Sequence, residues 1–274
     1  MPPIERLIFT NRVVPMTPSP SAAMSGLIRL SISAGREIMA IYAGDFSAKA
    51  KSDLTPVTEA DEAAEKVILA GLAKMDPATP VISEEAASAG RIPEVAERFF
   101  LVDPLDGTKE FISRNGEFTV NIARVENGVP VAGVVFAPAL GRLFWGECGT
   151  GAAEGRVDND QPGKWQAMHV RPCPSDGATV VASRSHRDAA TDDFLKKVQV
   201  KSLCSAGSSL KFCLIAAGEA DLYPRFGRTM EWDTAAGHAV LLAAGGKVLT
   251  TEGDPLAYGK RARGYDNPGF IASA

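Results

Sequence analysis

Four places along the chain carry acidic residues whose carboxylates could share one site: Asp61, Glu84 with Glu85, the pair Asp103 and Asp106, and Asp233. Two carboxylates about 4 Å apart repel by roughly 4 kcal/mol at an effective dielectric constant near 20, so a cluster is unstable without cations or protons among its members. Ligand sets made only of oxygen suit Mg²⁺, Mn²⁺ or Ca²⁺, and Mg²⁺ prefers a few carboxylates together with water and substrate phosphate. The acids therefore indicate chemistry on a phosphate group, assisted by a divalent cation.

Asp103 and Asp106 flank a proline turn directly after the apolar run 99–102. Because that run predicts a buried strand, both carboxylates can point into one site at its carboxyl end. Pro104 has a fixed φ angle and leaves the carbonyls of the turn free, so the carbonyl of Leu105 can act as a further oxygen ligand. The turn is therefore the predicted centre of the site.

Gly107 and Thr108 follow the turn and offer a place for the phosphate. Gly107 allows another group to approach the backbone closely, because it has no side chain. If these two residues begin a helix, their N–H groups are not used inside that helix and can bind a phosphate oxygen. The segment from Asp103 to Thr108 thus combines candidate metal ligands with a candidate phosphate site.

Each acid also has an interpretation that requires no chemistry. Asp-Pro-x-Asp-Gly is a good turn sequence by propensity alone. Asp61 lies three residues after Thr58 and could be only the acidic partner of a helix capping box. Glu84 and Glu85 could be a solvated loop pair, and Asp233 could be only the N-cap of an apolar helix. The joint occurrence of all four places favours a shared site.

The elements that must position these residues alternate between helices and strands. Apolar residues at helical spacing predict helices at 27–44, 58–75, 189–198, 208–217 and 234–244. Short apolar or alternating runs predict strands at 81–82, 99–102, 118–123, 131–137, 142–147, 179–182, 220–223 and 247–250. This order predicts an α/β fold, a layered α+β sandwich with its chemistry where two halves meet.

The sequence divides into three expected segments. Residues 1–25, interrupted by prolines, predict a flexible N-terminal extension. Residues 26–165 are the expected N-terminal α+β half with most of the metal ligands. Residues 166–274 are the expected C-terminal α/β half with the substrate-binding residues and the last metal ligand. The Gly-, Asp- and Asn-rich residues 149–164 are the predicted boundary between the halves.

Composition and charge argue against several classes of protein. The 274 residues carry a formal net charge of −4, which provides no attraction to nucleic acid or to an anionic membrane. No apolar run approaches ~18 residues, so no integral membrane segment is expected. The four cysteines lack metal-binding spacing, which favours reduced thiols. Residues 1–25 lack the apolar core of a signal peptide, so the cytoplasm is the expected location.

Longer strings of residues resemble a known family. Residues 103–111 (Asp-Pro-Leu-Asp-Gly-Thr-Lys-Glu-Phe), Glu84-Glu85 and 232–237 resemble the signature of the inositol monophosphatase-like, lithium-sensitive metal phosphatases. The resemblance extends from about Leu27 to Phe270. Within that superfamily, residues 108–111, 115–121, 207–213 and 222–226 resemble the bacterial CysQ-type 3′(2′),5′-bisphosphate nucleotidases. The resemblance implies alternating α-β-α-β-α layers, as in fructose-1,6-bisphosphatase and inositol monophosphatase.

The same resemblance implies a set of metal ligands for two to three Mg²⁺ ions. Glu84, Asp103 and the Leu105 carbonyl would hold one ion. Asp103, Asp106 and Asp233 would hold a second, and Glu84 would help to place a third through water. These assignments agree with the physical argument for a cation among the acids.

The resemblance also implies catalytic and substrate-binding residues. Asp61 would hydrogen-bond the Thr108 hydroxyl, and this pair, with Glu84, would activate the attacking water. The implied substrate contacts are Gly107, Thr108, Lys109, His186, Gly207, Ser208, Lys211, Arg225 and Asp233. Ser208, Lys211 and Arg225 would bind the phosphate that is not cleaved, and His186 would lie beside adenine. Without the family, Lys211 could be a solvated residue on a helix face and His186 a structural histidine.

The function implied by the resemblance is Mg²⁺-dependent hydrolysis of adenosine 3′,5′-bisphosphate, with its sulfated form PAPS as an alternative substrate. The products of the first reaction are AMP and phosphate, which places the enzyme in sulfate assimilation. The alternatives are an inositol-1-phosphatase or fructose-1,6-bisphosphatase of the same fold, and a non-catalytic nucleotide sensor. The expected partner is a small phosphorylated nucleotide, and the oligomeric state is left open between monomer and homodimer.

Two further expectations concern the surroundings of the site and of the protein. Glu231 directly precedes Trp232 and Asp233, and an extra acid there could adjust the metal site. Peripheral association with the cytoplasmic face of the inner membrane is suggested for some relatives.

Overall fold

The computed structural model describes residues 17–46, 48–50, 56–95, 97–183 and 188–274. The α-helices are α1 (Ala22–Tyr42), α2 (Glu59–Met75), α3 (Glu84–Ser88), α4 (Thr108–Ile112), α5 (Ala189–Leu195), α6 (Leu210–Ala216) and α7 (Glu231–Ala243). Short 3₁₀ helices span Pro138–Leu140 and Arg261–Arg263. The strands are β1 (Ala48–Ala50), β2 (Pro56–Thr58), β3 (Val81–Ser83), β4 (Arg98–Asp106), β5 (Thr119–Glu126), β6 (Val129–Ala137), β7 (Arg142–Glu147), β8 (Gly151–Asp158), β9 (Gln161–Pro162), β10 (Gln166–Met168), β11 (Ala178–Ser183), β12 (Val200–Ala206), β13 (Leu222–Arg225), β14 (Lys247–Thr250) and β15 (Phe270–Ser273).

The larger sheet has the strand order β10-β8-β7-β6-β5-β4-β3, and β9 pairs with β8. Strands β3 and β4 are parallel, whereas the remaining neighbours in this sheet are antiparallel. The central strands β4, β5 and β6 are buried along most of their length. They are apolar on both faces because helices cover the sheet on each side.

The smaller sheet has the order β12-β11-β13-β15-β14. Strand β11 runs parallel to β12 and β13, and β15 runs antiparallel to β13 and β14. The short strands β1 and β2 form a separate antiparallel pair directly before α2. The parallel pairs in both sheets are consistent with the predicted α/β class.

Layers of helices and sheets alternate through the molecule. Helices α1 and α2 pack on one face of the larger sheet, α7 packs on its other face and contacts α6, and both α6 and α7 contact the smaller sheet. Helix α5 contacts β13 of the smaller sheet. One apolar core lies under α1 and α2, and a second surrounds α6 and α7. The expected α-β-α-β-α sandwich is confirmed.

Two glycines allow α7 to lie directly on the larger sheet. A Cβ atom at Gly133 in β6 would lie 2.4 Å from the carbonyl oxygen of Ala236, and one at Gly146 in β7 would lie 2.6 Å from the Cα atom of Val240. Any side chain at these positions would push the helix away from the strands. The close approach fixes the position of Asp233, a predicted metal ligand, in the first turn of α7.

The structure corrects several element boundaries. Helix α1 begins at Ala22, inside the expected extension and before the predicted start at Leu27, because the Ser21 hydroxyl accepts a hydrogen bond from Met24 N and donates one to Glu147. Residues 149–164, the predicted boundary between the halves, contain β8 and β9 of the larger sheet. Strands β1, β2, β10, β12 and β15 were also not predicted. In the described ranges, no helix is long and apolar enough to cross a membrane.

Candidate active site

The two aspartates of the central turn lie on β4, which contains an irregularity in its pairing with β5. Asp103 pairs with Asn121 and Asp106 with Thr119, so three steps along β4 match two steps along β5. In a regular strand, residues three apart point to opposite faces. The extra residue is a bulge, and it brings Asp106 back to the face of Asp103. The bulge therefore explains how two acids three residues apart serve one site.

Gly107 joins this strand to α4 and is the residue before its first turn. Its φ angle of +92° is in the left-handed region, where residues with a side chain are strained. A Cβ atom here would also lie 2.3 Å from Ser208 Oγ. Thr108 is the first residue of α4. The turn from Asp103 to Thr108 is thus held in a shape that requires glycine.

Asp61 makes both of the contacts that the sequence predicted, one with Thr58 and one with Thr108. Its Oδ2 atom accepts hydrogen bonds of 2.7 Å from the backbone N–H and the hydroxyl of Thr58, which is the capping box of α2. Its Oδ1 atom lies 3.3 Å from Thr108 Oγ1. Because the capping contacts fix one carboxylate oxygen, the other is held towards Thr108. Helix capping and the contact with Thr108 are therefore made by the same buried side chain.

Carboxylates from three separate elements meet beside this pair. Glu84 begins α3, Asp103 lies in β4 and Asp233 lies in the first turn of α7. One oxygen atom of each lies within 4.8 Å of the others. Asp233 is oriented by the N–H group of Met230, which donates to its Oδ2 atom at 2.8 Å. The structure brings together acids that are 149 positions apart in sequence, from 84 to 233.

The mutual repulsion of these acids is visible in their pKa values. Burial, and next Glu84 and Asp106, raise the pKa of Asp103 well above its usual range. Burial, followed by Asp106 and Glu84, does the same to the pKa of Asp233. Carboxylates that resist ionisation in this way are stabilised by a cation between them. An all-oxygen donor set of partly buried carboxylates fits Mg²⁺.

Asp106 differs from the other acids because a lysine lies near it. Burial raises the pKa of Asp106 to about 6, while Lys211 and a hydrogen bond from Asn121 act in the opposite direction. The Asn121 amide donates to Asp106 Oδ2 at 3.2 Å. Burial lowers the pKa of Lys211 to about 8, and Asp106 opposes that change. This corner of the site therefore contains an acid and a base that each favour the charged form of the other.

The predicted site residues surround one cleft of about 220 Å³. Of these residues, the ones that line it are Glu84, Asp103, Leu105, Asp106, Gly107, Thr108, Lys109, Ser208, Lys211, Arg225 and Asp233. Asp61 lies behind Thr108, and Gly207 is buried against Glu117. His186 lies outside the described residues.

Lining residues that the sequence did not suggest are Glu110, Ser183, Phe212, Tyr223, Thr229 and Thr234. Tyr223 could have been found, because it lies two residues before Arg225 on the same face of β13. Glu110, Phe212 and Thr234 lie in strings that resemble the family, whereas Ser183 and Thr229 had no such signal.

The residues expected to bind substrate also hold parts of the protein together. Gly207 N donates to Glu117 Oε2 at 2.9 Å, and Ser208 Oγ lies 2.8 Å from the carbonyl oxygens of Asp106 and Glu117. Lys211 is buried rather than solvated, and its ammonium donates to the carbonyls of Ala206 at 3.2 Å and Ser208 at 2.5 Å. This cation is consequently fixed beside the cleft before any ligand binds.

Glu231, which the sequence suggested as an extra acid that could adjust the metal site, does not line the cleft. Its buried carboxylate accepts hydrogen bonds from Gly259 N at 2.7 Å and Lys260 N at 2.8 Å. The Lys260 ammonium also lies 2.8 Å from Glu231 Oε1. Residues two apart in an α-helix lie about 200° apart around its axis, so Glu231 faces a loop while Asp233 faces the cleft.

Comparison with known proteins gives one consistent result. The profile of the inositol monophosphatase family matches residues 21–272. The 3′(2′),5′-bisphosphate nucleotidase CysQ of Escherichia coli (strain K12) is 46% identical over 247 residues, which are 89% of this chain and 97% of the relative. CysQ of Salmonella typhimurium is 47% identical over 244 residues, which are 88% of this chain and 96% of the relative.

Solved structures agree with the sequence comparison. CysQ from Bacteroides thetaiotaomicron, described as a bacterial member of the inositol monophosphatase family, is 39% identical with a TM-score of 0.77, and the match covers 92% of this chain and 97% of that one. An IMPase of Thermotoga maritima is 25% identical with a TM-score of 0.76, and the match covers 92% of each chain.

Proposed function

The chain belongs to the inositol monophosphatase family, and we propose that it is a Mg²⁺-dependent phosphomonoesterase that hydrolyses adenosine 3′,5′-bisphosphate to AMP and phosphate. The observation that carries the reaction type is the group of Glu84, Asp103 and Asp233 oxygens within 4.8 Å, next to the Asp61–Thr108 pair. The substrate is proposed from the relatives named 3′(2′),5′-bisphosphate nucleotidase, which match almost over their whole length. PAPS is a second candidate substrate, because it differs only at the 5′-phosphate.

The proposed cation ligands are the carboxylates and one carbonyl of the cleft. Glu84, Asp103 and the Leu105 carbonyl form one set, and Asp103, Asp106 and Asp233 form the other. Mg²⁺ in these positions would neutralise the charge on the phosphoryl oxygens and on the leaving oxygen. A total of two to three ions is the proposal, with Glu84 helping to place the third through water.

Asp61 and Thr108 have the geometry to hold the attacking water. Two hydrogen bonds from Thr58 fix Asp61 Oδ2. Asp61 Oδ1 is therefore held where it accepts a hydrogen bond from the Thr108 hydroxyl. The lone pairs of Thr108 Oγ1 then face the cleft and accept a hydrogen bond from water. As the water attacks phosphorus, its proton passes to Thr108 Oγ1 and the Thr108 proton passes to Asp61 Oδ1. The leaving 3′-oxygen takes a proton from solvent.

Positive charge for the phosphate that is not cleaved comes from Lys211 and Arg225, with Lys109 at the rim of the cleft. The Arg225 guanidinium is fixed by hydrogen bonds to the carbonyls of Gly227 at 3.1 Å and Arg228 at 3.0 Å. The Lys211 ammonium lies 5.3 Å from the centre of the Tyr223 ring. A cation held in place by protein groups binds an anion without a further loss of side-chain freedom. This supports a substrate with a second phosphate.

The test is a comparison of kcat/KM for adenosine 3′,5′-bisphosphate, inositol 1-phosphate and fructose 1,6-bisphosphate, each with Mg²⁺ and with a chelator. We expect the nucleotide to be preferred by about tenfold or more, and all turnover to stop with the chelator. A preference of the same size for inositol 1-phosphate would contradict the proposed substrate. Nucleotide binding in calorimetry without metal-dependent phosphate release would instead identify a sensor.

Location, assembly and cation inhibition complete the proposal. The substrate class fits a protein of the cytoplasm, and peripheral membrane association is a separate prediction tested by cell fractionation. A monomer and a homodimer are distinguished by light scattering. Lithium is expected to inhibit, as in the lithium-sensitive phosphatases that the sequence resembles.

A further inference from the structure

A chain of buried hydrogen bonds connects Asp106 to the backbone at Asp233. Asn121 Nδ2 lies 3.2 Å from Asp106 Oδ2 and 3.0 Å from Ser209 Oγ. Ser209 Oγ lies 2.6 Å from the carbonyl oxygen of Asp233. Thr119 Oγ1 lies 2.9 Å from Asn121 Oδ1. Thr119, Asn121 and Ser209 are fully buried. We call this set the Asn121 bridge.

The direction of each hydrogen bond in the Asn121 bridge follows from the groups at its two ends. The Asp233 carbonyl can only accept, so Ser209 uses its single hydroxyl proton there. Ser209 Oγ must then accept from Asn121, and the ionised Asp106 carboxylate must also accept from it. Both protons of the Asn121 amide are thereby assigned, and its oxygen accepts from the Thr119 hydroxyl. Every donor in the bridge has a partner.

The bridge crosses between elements that apolar packing alone would not fix relative to each other. Asp106 and Asn121 belong to the larger sheet, Ser209 precedes α6, and Asp233 lies in α7. Burial of apolar surface has no directional preference, so it does not determine the distance between two carboxylates. Hydrogen bonds in a buried, fully satisfied network do specify one geometry.

We propose that Asn121 and Ser209 are positioning residues that set the separation of Asp106 and Asp233 and thereby the affinity for a divalent cation shared by these two acids. The inference rests on the proposed function, because it takes these acids as cation ligands. Mg²⁺ demands near-ideal octahedral geometry at short distances, so a small shift of one ligand weakens its binding. Neither residue is proposed to touch substrate.

The test is Mg²⁺ binding measured by calorimetry on the substrate-free protein. Ser209→Ala removes both the donor to Asp233 and the acceptor for Asn121, and we expect it to weaken Mg²⁺ binding about 10- to 100-fold. Asn121→Leu should act similarly, and Ser209→Thr, which keeps the hydroxyl, should restore most of the affinity. The double variant should be no weaker than the poorer single variant, because both substitutions break one bridge.

The matched control is Ser31→Ala. Ser31 is also fully buried, and its hydroxyl donates to the Ile28 carbonyl at 2.9 Å inside α1, remote from the cleft. It should lower the melting temperature without changing Mg²⁺ affinity. The inference is overturned if Ser209→Ala, folded by circular dichroism, binds Mg²⁺ within about twofold of the original protein, or if Ser31→Ala weakens Mg²⁺ binding equally.

Failure of the proposed function gives a different result. In that case the original protein binds Mg²⁺ but does not hydrolyse the nucleotide. Ser209→Ala should still bind Mg²⁺ more weakly than Ser31→Ala does. Thr119→Val offers a second route if Ser209→Ala does not fold. It removes only the hydroxyl that orients the Asn121 amide and should weaken Mg²⁺ binding by a smaller factor than Ser209→Ala.

Discussion

The acidic and basic sides of the cleft differ in how far the protein itself satisfies their charges. Asp103 and Asp233 face other carboxylates, and their pKa values are raised by burial and by this repulsion. On the basic side, Lys211 and Arg225 already donate hydrogen bonds to backbone carbonyls. The carboxylates of the acidic side therefore repel one another unless a cation binds, whereas the side chains of the basic side already have hydrogen-bond partners without a bound anion.

This difference teaches which part of the site depends on its ligand. A cluster of like charges stores repulsion that binding of a cation releases, and this makes the cation part of the structure. A positively charged side chain that is held in place, such as Lys211, instead contributes to specificity, because it favours ligands with an anionic group at one position in the cleft. Four changes test this comparison, from the largest expected effect to the smallest.

Asp106→Asn should have the largest effect. It keeps the size of the side chain but removes a charge that both the cation and Lys211 face, so kcat should fall by several orders of magnitude. The metal-free protein should become more stable at neutral pH, because one buried carboxylate no longer needs to ionise. Steady-state kinetics and chemical denaturation in a chelator measure the two effects. Retained activity would contradict the assignment of Asp106 as a cation ligand.

Lys211→Met tests the basic side. Loss of the ammonium removes one donor from the carbonyls of Ala206 and Ser208 and removes a fixed positive charge, so kcat/KM should fall by about 10- to 100-fold. The acid limb of the pH profile should move to higher pH, because Lys211 lowers the pKa of Asp106. Lys196→Met is the control, since this lysine is exposed and pairs only with Asp193 among the described ion pairs.

The stability of the metal-free protein should depend on pH in an unusual direction. The folded pKa of Asp106 is raised to about 6 from an ordinary value of 3.8, so the folded state binds more protons than the unfolded state between these values. The free energy of unfolding should therefore fall as pH rises through this interval, by an amount of the order of 3 kcal/mol for Asp106 alone.

The same titration with Mg²⁺ provides the check. Denaturation at several pH values in a chelator should show the fall, and added Mg²⁺ should remove most of it, because the bound cation favours ionised carboxylates. A free energy of unfolding that rises from pH 4 to pH 6 in the chelator would contradict the description of the acidic side as a cluster of carboxylates that resist ionisation.

Glu231→Gln should have the smallest effect on activity. The substitution breaks the ion pair with Lys260 and weakens the contacts to the 259–260 backbone, so the free energy of unfolding should fall by about 1–3 kcal/mol. Activity and Mg²⁺ affinity should stay within about twofold of the original protein, because Glu231 faces away from the cleft. A large change in Mg²⁺ affinity would contradict this and would indicate that Glu231 acts on the carboxylates of the acidic side.

Much of the acidic side was predictable, because charged residues in an unusual arrangement are a strong local signal. Asp61, Glu84, Asp103, Asp106 and Asp233 were all identified, and so was the need for glycine at the end of the turn. The residues of the Asn121 bridge were missed. Thr119, Asn121 and Ser209 are neutral, and nothing in the order of the sequence indicates that a strand and a distant helix will share a hydrogen bond.

The predicted roles on the basic side were less complete for a related reason. The sequence indicated that Ser208 and Lys211 carry groups suited to bind phosphate. It did not indicate that these groups would already be hydrogen-bonded to backbone carbonyls. The strands within residues 149–164 were not predicted, because glycine and asparagine favour turns locally. Pairing with β7 converts part of this segment into a strand, which is a tertiary effect.

The sequence by itself determined the identity of the reactive groups, the helix start that orients Asp61, and the turn that separates Asp103 from Asp106 by three residues. These features depend on residue type and on contacts between near neighbours in the chain. Only the tertiary structure decided that a bulge in β4 returns Asp106 to the face of Asp103, and that α7 brings Asp233 to the same place. Strand pairing and helix packing join residues that are far apart in sequence, and their distances follow from the whole fold.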